Sequence, residues 1–241
     1  MNISFNIVDV AARAFGLTTI EEFTALANGS LAIDTKVINP KPKLIPMMAA
    51  RRMSDGCHLA VDLGLELCAK NKLTGVVYSS LSGEIQHNYK VLLACAKEQP
   101  CSPTDFSMSV HNAAVGNFTI LSHQAIPSSS VSASEDSFMQ ALVDAYIRLD
   151  NDEDRILVVD YNVSIPKFFL DYNKEKLLDY PIAIGFVLAK GDKVSINSKE
   201  NSIDTFDKHQ ALTFLLNFLK PSKQCSIIGS SNEYQVKFSW K

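Results

Sequence analysis

The chain has 241 residues, 46% of them apolar and 20% charged, a composition that excludes fibrous and disordered chains and fits a folded globular protein. Its 23 basic and 26 acidic residues give a formal charge of −3, which argues against nucleic-acid binding, and no apolar run approaches the roughly 20 residues of a membrane span. The N-terminus lacks the pattern of a secretion signal and the five cysteines form no C-x-x-C motif, so we expect one compact cytoplasmic protein with free thiols.

Strand and helix patterns alternate along the chain. In order, they predict a strand at residues 3–10, a helix at 20–26, a helix at 54–67, a strand at 75–80, a helix at 82–96, an apolar stretch at 106–122 and a strand at 128–133. They continue with a helix at 138–149, strands at 156–159 and 181–189, a hairpin partner at 194–197, a helix at 211–219 and strands at 226–229 and 234–238. This alternation predicts a layered α/β fold.

Local motifs of catalysis and cofactor binding are missing. The sequence has no G-x-G-x-x-G, Walker loop, G-x-S-x-G or H-E-x-x-H motif, which argues against a nucleotide enzyme, a lipase and a zinc hydrolase. The five histidines share no metal-ligand spacing with a cysteine or a carboxylate. We therefore expect neither a cofactor nor a metal site.

One stretch carries a family resemblance. Residues 111–120, His-Asn-Ala-Ala-Val-Gly-Asn-Phe-Thr-Ile, resemble the N-M-A-A-G-x-x-(S/T)-I helix of β-ketoacyl-acyl-carrier-protein synthases. In that family a Gly-Pro-Ser loop, a short strand and the nucleophilic cysteine follow. Counting eight residues from Pro127, as the family does to reach its cysteine, leads to Glu135. The resemblance thus places Glu135 at a strand-to-helix elbow, facing the pocket.

The replacement of cysteine by Glu135 implies that this chain does not catalyse condensation by itself. The family's nucleophile must be a thiolate, and a carboxylate is a poor substitute in transthiolation. The two catalytic histidines of the family's C-terminal half are also missing, because His209, the one late histidine, is predicted on the last helix in unrelated surroundings. We expect Glu135 and Asp136 to stabilise the first turn of the following helix, although Glu135 could instead plug or polarise the pocket.

Further motifs resemble a short, N-terminal-like ketosynthase subfamily. They are P-x-x-x-x-R-R-M-S at residues 46–54, S-S-x-x-G-E at 79–84, S-V-H-N-A at 109–113 and A-x-E-x-S-F at 133–138. Their order covers about residues 3–190 and implies a thiolase-like αβαβα fold. The first half, about 1–165, would be complete and the second, about 166–241, shortened, within a single domain of residues 1–241.

Members of this group without a nucleophile resemble the chain-length factors of aryl polyene biosynthesis. The resemblance implies a cytoplasmic heterodimer with a full-length, cysteine-bearing β-ketoacyl synthase, which shapes the acyl tunnel and meets the acyl carrier protein through the complex, with no role for nucleic acid or a membrane. The strand at 128–133 would pair across the two-fold axis. The residues implied at the interface or tunnel are His111, Asn112, Gly116, Phe118, Ser130, Val131, Ser132, Ala133, Ser134 and Glu135. Packing within this chain's own core is the alternative for any one of them.

Two other functions stay open. One is a stand-alone acyl-thioester decarboxylase or thioesterase that uses Glu135, assisted by His111 or Ser134. The other is a homodimeric acyl-binding or scaffold protein without a synthase partner. An exposed apolar interface would argue against the second, because such a surface needs a cover.

Overall fold

The structure is a computed structural model that describes residues 1–14, 16–32, 34, 36–37, 41–173, 180–200, 206–220 and 222–239. Its strands are β1 (Asn2–Ala14), β2 (Gly75–Ser79), β3 (Ser128–Val131), β4 (Ile156–Asn162), β5 (Ile182–Glu200), β6 (Gln224–Ile228) and β7 (Asn232–Phe238). Its helices are α1 (Ile20–Ala27), α2 (Met47–Ala50), α3 (Asp55–Lys70), α4 (Ile85–Ala96), α5 (Pro103–Met108), α6 (Ala113–Ser122), α7 (Ser137–Ile147), α8 (Lys167–Asn173) and α9 (Gln210–Leu219). Within these residues no helix is long and apolar enough to cross a membrane.

The strands of the described residues form one seven-stranded sheet in the order β3-β2-β4-β5-β7-β6, and β1 pairs with β5. β3, β2 and β4 are parallel, whereas β5 is antiparallel to β4, β1 and β7. Every residue of β2 and β4 is buried, as expected for parallel strands covered on both faces. β3 ends this order, and no other strand of the described ranges pairs with its outer edge.

Helices cover both faces of the sheet. On one face α3 and α6 pack over an apolar core that includes Tyr78 of β2 and Tyr161 of β4. On the opposite face α7 and α9 pack together with β5 through the aromatic rings of Phe138, Phe186 and Phe214. Because successive side chains of a strand point to opposite faces, β1, β2, β4 and β5 each contribute to both cores.

The second half of the described chain is small. After β5 it adds α9 and the β6–β7 hairpin. β7 pairs with the C-terminal part of β5, from Val194 to Glu200. β6 and β7 therefore extend the sheet that β1 to β5 form.

Most of the predicted elements are confirmed, and α3 shows the reason. Ser54 Oγ accepts a hydrogen bond from the backbone N–H of Cys57 at 3.2 Å, so the predicted cap starts the helix. The apolar stretch at 106–122 forms two helices rather than one element, since α5 ends at Met108 and α6 begins at Ala113.

The prediction of a hairpin between residues 181–189 and 194–197 is wrong. Both segments belong to the single strand β5, because β1 pairs with both, Asn6 opposite Ala189 and Phe5 opposite Val194. The residues between them bulge out of the ladder, and Lys193 donates its backbone N–H to Asn6 Oδ1 at 3.1 Å. A bulged strand has the local pattern of two strands, and only its pairing with the distant N-terminal strand shows that it is one.

Candidate functional site

A tight turn joins β3 to α7. Within it Ser134 has a φ of 52°, a left-handed conformation that is uncommon for a residue with a side chain. Ser137 stabilises this turn, because its Oγ accepts a hydrogen bond from Ala133 N at 3.0 Å and donates one to Ser134 O at 2.6 Å. The turn is a strand-to-helix elbow with Glu135 directly after its left-handed residue.

Glu135 and Asp136 lie before α7, so the expectation that they stabilise its first turn is wrong. The helix begins at Ser137, and its first turn contains no acidic residue. The left-handed Ser134 turns the chain ahead of Glu135, and Ser134 Oγ donates a hydrogen bond to the Glu135 carboxylate. Glu135 is partly buried and lines a small cavity beneath the elbow.

Asp136 binds the elbow to the second half of the chain. Its buried carboxylate accepts hydrogen bonds from Gln210 Nε2 at 3.0 Å and from Ser230 Oγ at 2.8 Å. Gly229 leaves space for this carboxylate, since a Cβ there would lie 1.9 Å from Asp136 Oδ1. One side chain therefore holds the start of α9 and the β6–β7 turn against the elbow.

The cavity beneath the elbow has a volume of about 20 Å³. Ser134 and Glu135 line it from the elbow, Asp160 and Asn162 from the end of β4, and His209 from the residue before α9. Pockets that bind organic ligands enclose roughly 300–1,000 Å³. This cavity has room for a single small group and not for an acyl chain.

Asp160 and His209 face each other across this cavity. Asp160 accepts a hydrogen bond from Ser79 Oγ at 2.6 Å, and its other oxygen lies 3.7 Å from His209 Nε2. Burial raises the pKa of Asp160 to about 7 and lowers the pKa of His209 to about 4, because it disfavours the charged form of each. His209 Nδ1 accepts a hydrogen bond from the backbone N–H of Leu212 at 3.1 Å, so the neutral imidazole carries its proton on Nε2.

His209 is the residue of this site that sequence reasoning missed. It was predicted on the last helix in unrelated surroundings, but it precedes α9 as its N-cap and is buried beside Asp160. Its position directly before an amphipathic helix is the signal that could have indicated an inward side chain. In the described part of the chain, no group of three or more His, Cys, Asp or Glu side chains is arranged to hold a metal ion.

His111 connects the start of α6 to the sheet. Its Nε2 donates a hydrogen bond to Ser80 O at 3.1 Å, and its Nδ1 lies 2.7 Å from Ser130 Oγ on β3. Asn112, the N-cap residue of α6, is exposed. His111 does not line the elbow cavity, so of the two residues considered as helpers of Glu135 only Ser134 contacts it.

The other predicted site residues lie in different surroundings. Phe118 is fully buried in this chain's own core, with its ring centroid 5.8 Å from that of Tyr78. Gly116 lies on the same helix, and a Cβ there would meet nothing within 4 Å. Val131 ends β3, and Ser132 is exposed directly after it.

Large apolar side chains are exposed on α6 and just before it, and α6 is a helix that contacts β3. Ile120 of α6 is 70% exposed, and Val110, next to His111, is 49% exposed. We call the outer edge of β3 together with Val110, Gly116 and Ile120 the β3 surface. An unpaired strand edge beside exposed apolar groups is a template for association.

A family model identifies the chain. Residues 26–240 match the model described as beta-ketoacyl synthase, N-terminal domain. The chain belongs to this family. No curated protein matches this β-ketoacyl synthase domain in sequence.

Solved structures support the same assignment. A chain from the ketosynthase (ApeO) in complex with its chain length factor (ApeC) of Xenorhabdus doucetiae is 35% identical, with a TM-score of 0.91 over 98% of this chain and 99% of that one. The ishigamide ketosynthase/chain length factor is 14% identical, with a TM-score of 0.63 over 83% of this chain and 68% of that one. A chain of AntDE:AntF, a type II PKS acyl-carrier protein in complex with its ketosynthase, is 11% identical, with a TM-score of 0.71 over 100% of both chains.

These comparisons confirm the predicted thiolase-like ketosynthase fold with a shortened second half. They also confirm the resemblance to chain-length factors, since the most identical of these structures contains a ketosynthase and its chain length factor. The distant matches show the fold alone.

Proposed function

We propose that this chain is a catalytically inactive chain-length factor that forms a heterodimer with an active β-ketoacyl synthase. Its second half, beginning near residue 166, is shortened within a single domain. The observation that carries the proposal is the elbow, where Glu135 stands in place of a nucleophilic thiol beside a strand edge that is open to a partner. The similarity to a chain of a ketosynthase–chain length factor complex supports it.

Two features of the elbow support inactivity. Acyl transfer needs a thiolate, and a carboxylate at Glu135 cannot form and pass on the same thioester. The cavity behind Glu135 measures about 20 Å³, too small for an acyl chain. Asp136 holds the start of α9 beside this cavity through its hydrogen bond with Gln210.

The β3 surface supports pairing with another chain. The outer edge of β3 offers backbone groups that no described strand uses, and Val110 and Ile120 expose apolar side chains beside it. Gly116 presents backbone without a side chain, which permits close approach of a facing helix. We place the partner's matching strand along β3, joining the two sheets.

In this complex the chain would form one wall of the synthase's acyl tunnel and so limit the length of the product. The growing chain, an aryl polyene or a related polyketide or fatty-acyl chain, would be carried by an acyl carrier protein that meets the complex in the cytoplasm. The active thiol and the condensation chemistry belong to the synthase.

Co-expression with a full-length, cysteine-bearing ketosynthase from the same organism tests the pairing. We expect affinity purification and native mass determination to give a one-to-one heterodimer, and this chain alone to self-associate as its concentration rises. A well-behaved monomer or homodimer that ignores the synthase would contradict the proposal and favour the homodimeric scaffold.

A matched pair of variants locates the interface. Val110→Asp places a charge on the β3 surface and should weaken the heterodimer by roughly tenfold or more. Val8 on β1, which pairs with β5 rather than with β3, is the control, because it is the same residue type at 47% exposure. We expect Val8→Asp to leave pairing unchanged. Equal effects of the two substitutions would place the interface elsewhere.

A further inference from the structure

Two buried polar atoms at the elbow cavity have no hydrogen-bond partner among the described residues. They are His209 Nε2 and Gln210 Oε1, on adjacent residues that both line the cavity. Leaving a buried donor or acceptor unpaired costs about 1–3 kcal/mol. Two such atoms on the wall of one cavity indicate that a further hydrogen-bonding group belongs there.

The other contacts of these side chains determine what each atom can do. His209 Nδ1 accepts the N–H of Leu212, so Nε2 carries the proton and donates. Gln210 Nε2 donates to Asp136 Oδ1 at 3.0 Å, so its Oε1 is the accepting end. The residues that line the cavity therefore hold one unpaired donor and one unpaired acceptor.

Asp160 supplies a third partner. Its oxygen lies 3.7 Å from His209 Nε2, too far for a direct hydrogen bond but suited to a bridge through a third atom. Its other oxygen is occupied by Ser79 Oγ at 2.6 Å, which holds the carboxyl group in this orientation. Glu135 and Lys208 line the same cavity.

We propose that this cavity is a binding site for one water molecule, which accepts a hydrogen bond from His209 Nε2 and donates to Gln210 Oε1 and the facing oxygen of Asp160. The volume of about 20 Å³ exceeds the roughly 10–15 Å³ that one water needs, and three partners are typical of buried waters. The water joins β4 of the first half to the start of α9. This site does not depend on the proposed function, because it lies within one chain.

A crystal structure of the full-length wild-type chain, alone or in its complex with a ketosynthase, tests the site directly. At a resolution that shows ordered waters elsewhere in the core, we expect one density peak within hydrogen-bond distance of His209 Nε2 and Gln210 Oε1. An empty cavity would overturn the proposal. So would a direct hydrogen bond between His209 and Asp160.

A double-mutant cycle adds a solution measurement. His209→Asn keeps a capping oxygen for Leu212 but withdraws the Nε2 donor from the cavity, and Asp160→Asn keeps the shape of its partner. In denaturant unfolding we expect the two substitutions to be coupled by about tenfold in the unfolding equilibrium constant. Additive effects would show that no bridge links the two side chains. If one variant does not fold, the wild-type crystal structure decides.

Discussion

Helices α3 and α6 pack on the same face of the sheet, yet only the glycines of α3 are tightly packed against other segments of this chain. A Cβ at Gly56 of α3 would lie 2.0 Å from the carbonyl oxygen of Asn162, and one at Gly64 would lie 2.2 Å from Tyr78 Oη. At Gly116 of α6 a Cβ would meet nothing within 4 Å. Because protein interiors are close-packed, this difference identifies α3 as interior and one side of α6 as a surface left open.

The same contrast separates the two sides of the elbow. On one side the start of α9 is bound by Asp136 and faces Asp160 across a small cavity. On the other side β3 has an outer edge that no described strand covers. The region of α3 and α9 is closed and the β3 surface is open, and this asymmetry agrees with the proposed pairing of the chain with a partner subunit.

Gly56→Ala should have the largest effect, because the added methyl group meets backbone atoms in the closed region. The new methyl group would collide with the end of β4 at Asn162 O, which cannot move without shifting the strand. We expect a loss of about 3 kcal/mol in the free energy of unfolding, measured by urea denaturation of the isolated chain. A loss below roughly 0.5 kcal/mol would show that α3 is not packed as tightly as described.

The dependence of stability on pH tests the buried pair of Asp160 and His209 at the start of α9. Folded His209, with a pKa of about 4, stays neutral where the unfolded chain takes up a proton below about pH 6.5, so its contribution rises with pH. Folded Asp160, with a pKa of about 7, keeps its proton where the unfolded chain ionises above about pH 3.8, so its contribution falls with pH. In the wild type these trends offset each other between about pH 4 and 6.5.

Replacing one residue of the pair at a time should reveal the two opposite pH dependences of stability separately. Relative to the wild type, Asp160→Asn should lose stability on acidification from about pH 6.5 to about 4, by up to about 1.4 kcal/mol per pH unit. His209→Asn should lose stability in the opposite direction, as pH rises from about 4 to about 7. Glu135 and Lys208 line the same cavity and are present in the wild type and in both variants. Urea unfolding at stepped pH provides the measurement, and slopes of the same sign would contradict the assignment.

Gly116→Ala tests the β3 surface, and it should stabilise the isolated chain but weaken the heterodimer. In the isolated chain we expect a gain of about 0.5–1 kcal/mol, because alanine favours the helix and a Cβ meets no atom there. In the heterodimer the same methyl group would meet the partner and weaken binding. Unfolding of the single chain and titration with the synthase separate the two effects. A stabilised chain with unchanged affinity would remove Gly116 from the interface.

Glu135→Gln should have the smallest effect. If Glu135 performs no chemistry, condensation by the heterodimer should keep its rate, and this chain alone should cleave no acyl thioester with either residue. Product analysis and a thioesterase assay check both statements. Thioester cleavage by the wild-type chain that disappears in Glu135→Gln would instead support the enzyme alternative.

Much of the fold could be predicted because its signals are local. Ser54 caps α3 by accepting a hydrogen bond from the N–H of Cys57, only three residues further along the chain. The apolar run of β2 is typical of a strand that is buried on both faces. The elbow could also be located from sequence, since spacing from Pro127 and resemblance to a family place Glu135 there. Patterns of this kind depend on neighbours in the chain, which a sequence displays directly.

The tertiary structure alone decided the features that depend on distant residues. Val194 continues β5 because it pairs with Phe5 near the N-terminus, and no local pattern distinguishes this bulge from a hairpin. His209 reaches Asp160, and Asp136 binds Gln210 and Ser230 instead of capping α7, because folding brings β4, the elbow and the second half together. The sequence by itself determined the family, most elements and the residue at the elbow. Which side of that elbow is closed and which is open depends on packing between segments far apart in the chain.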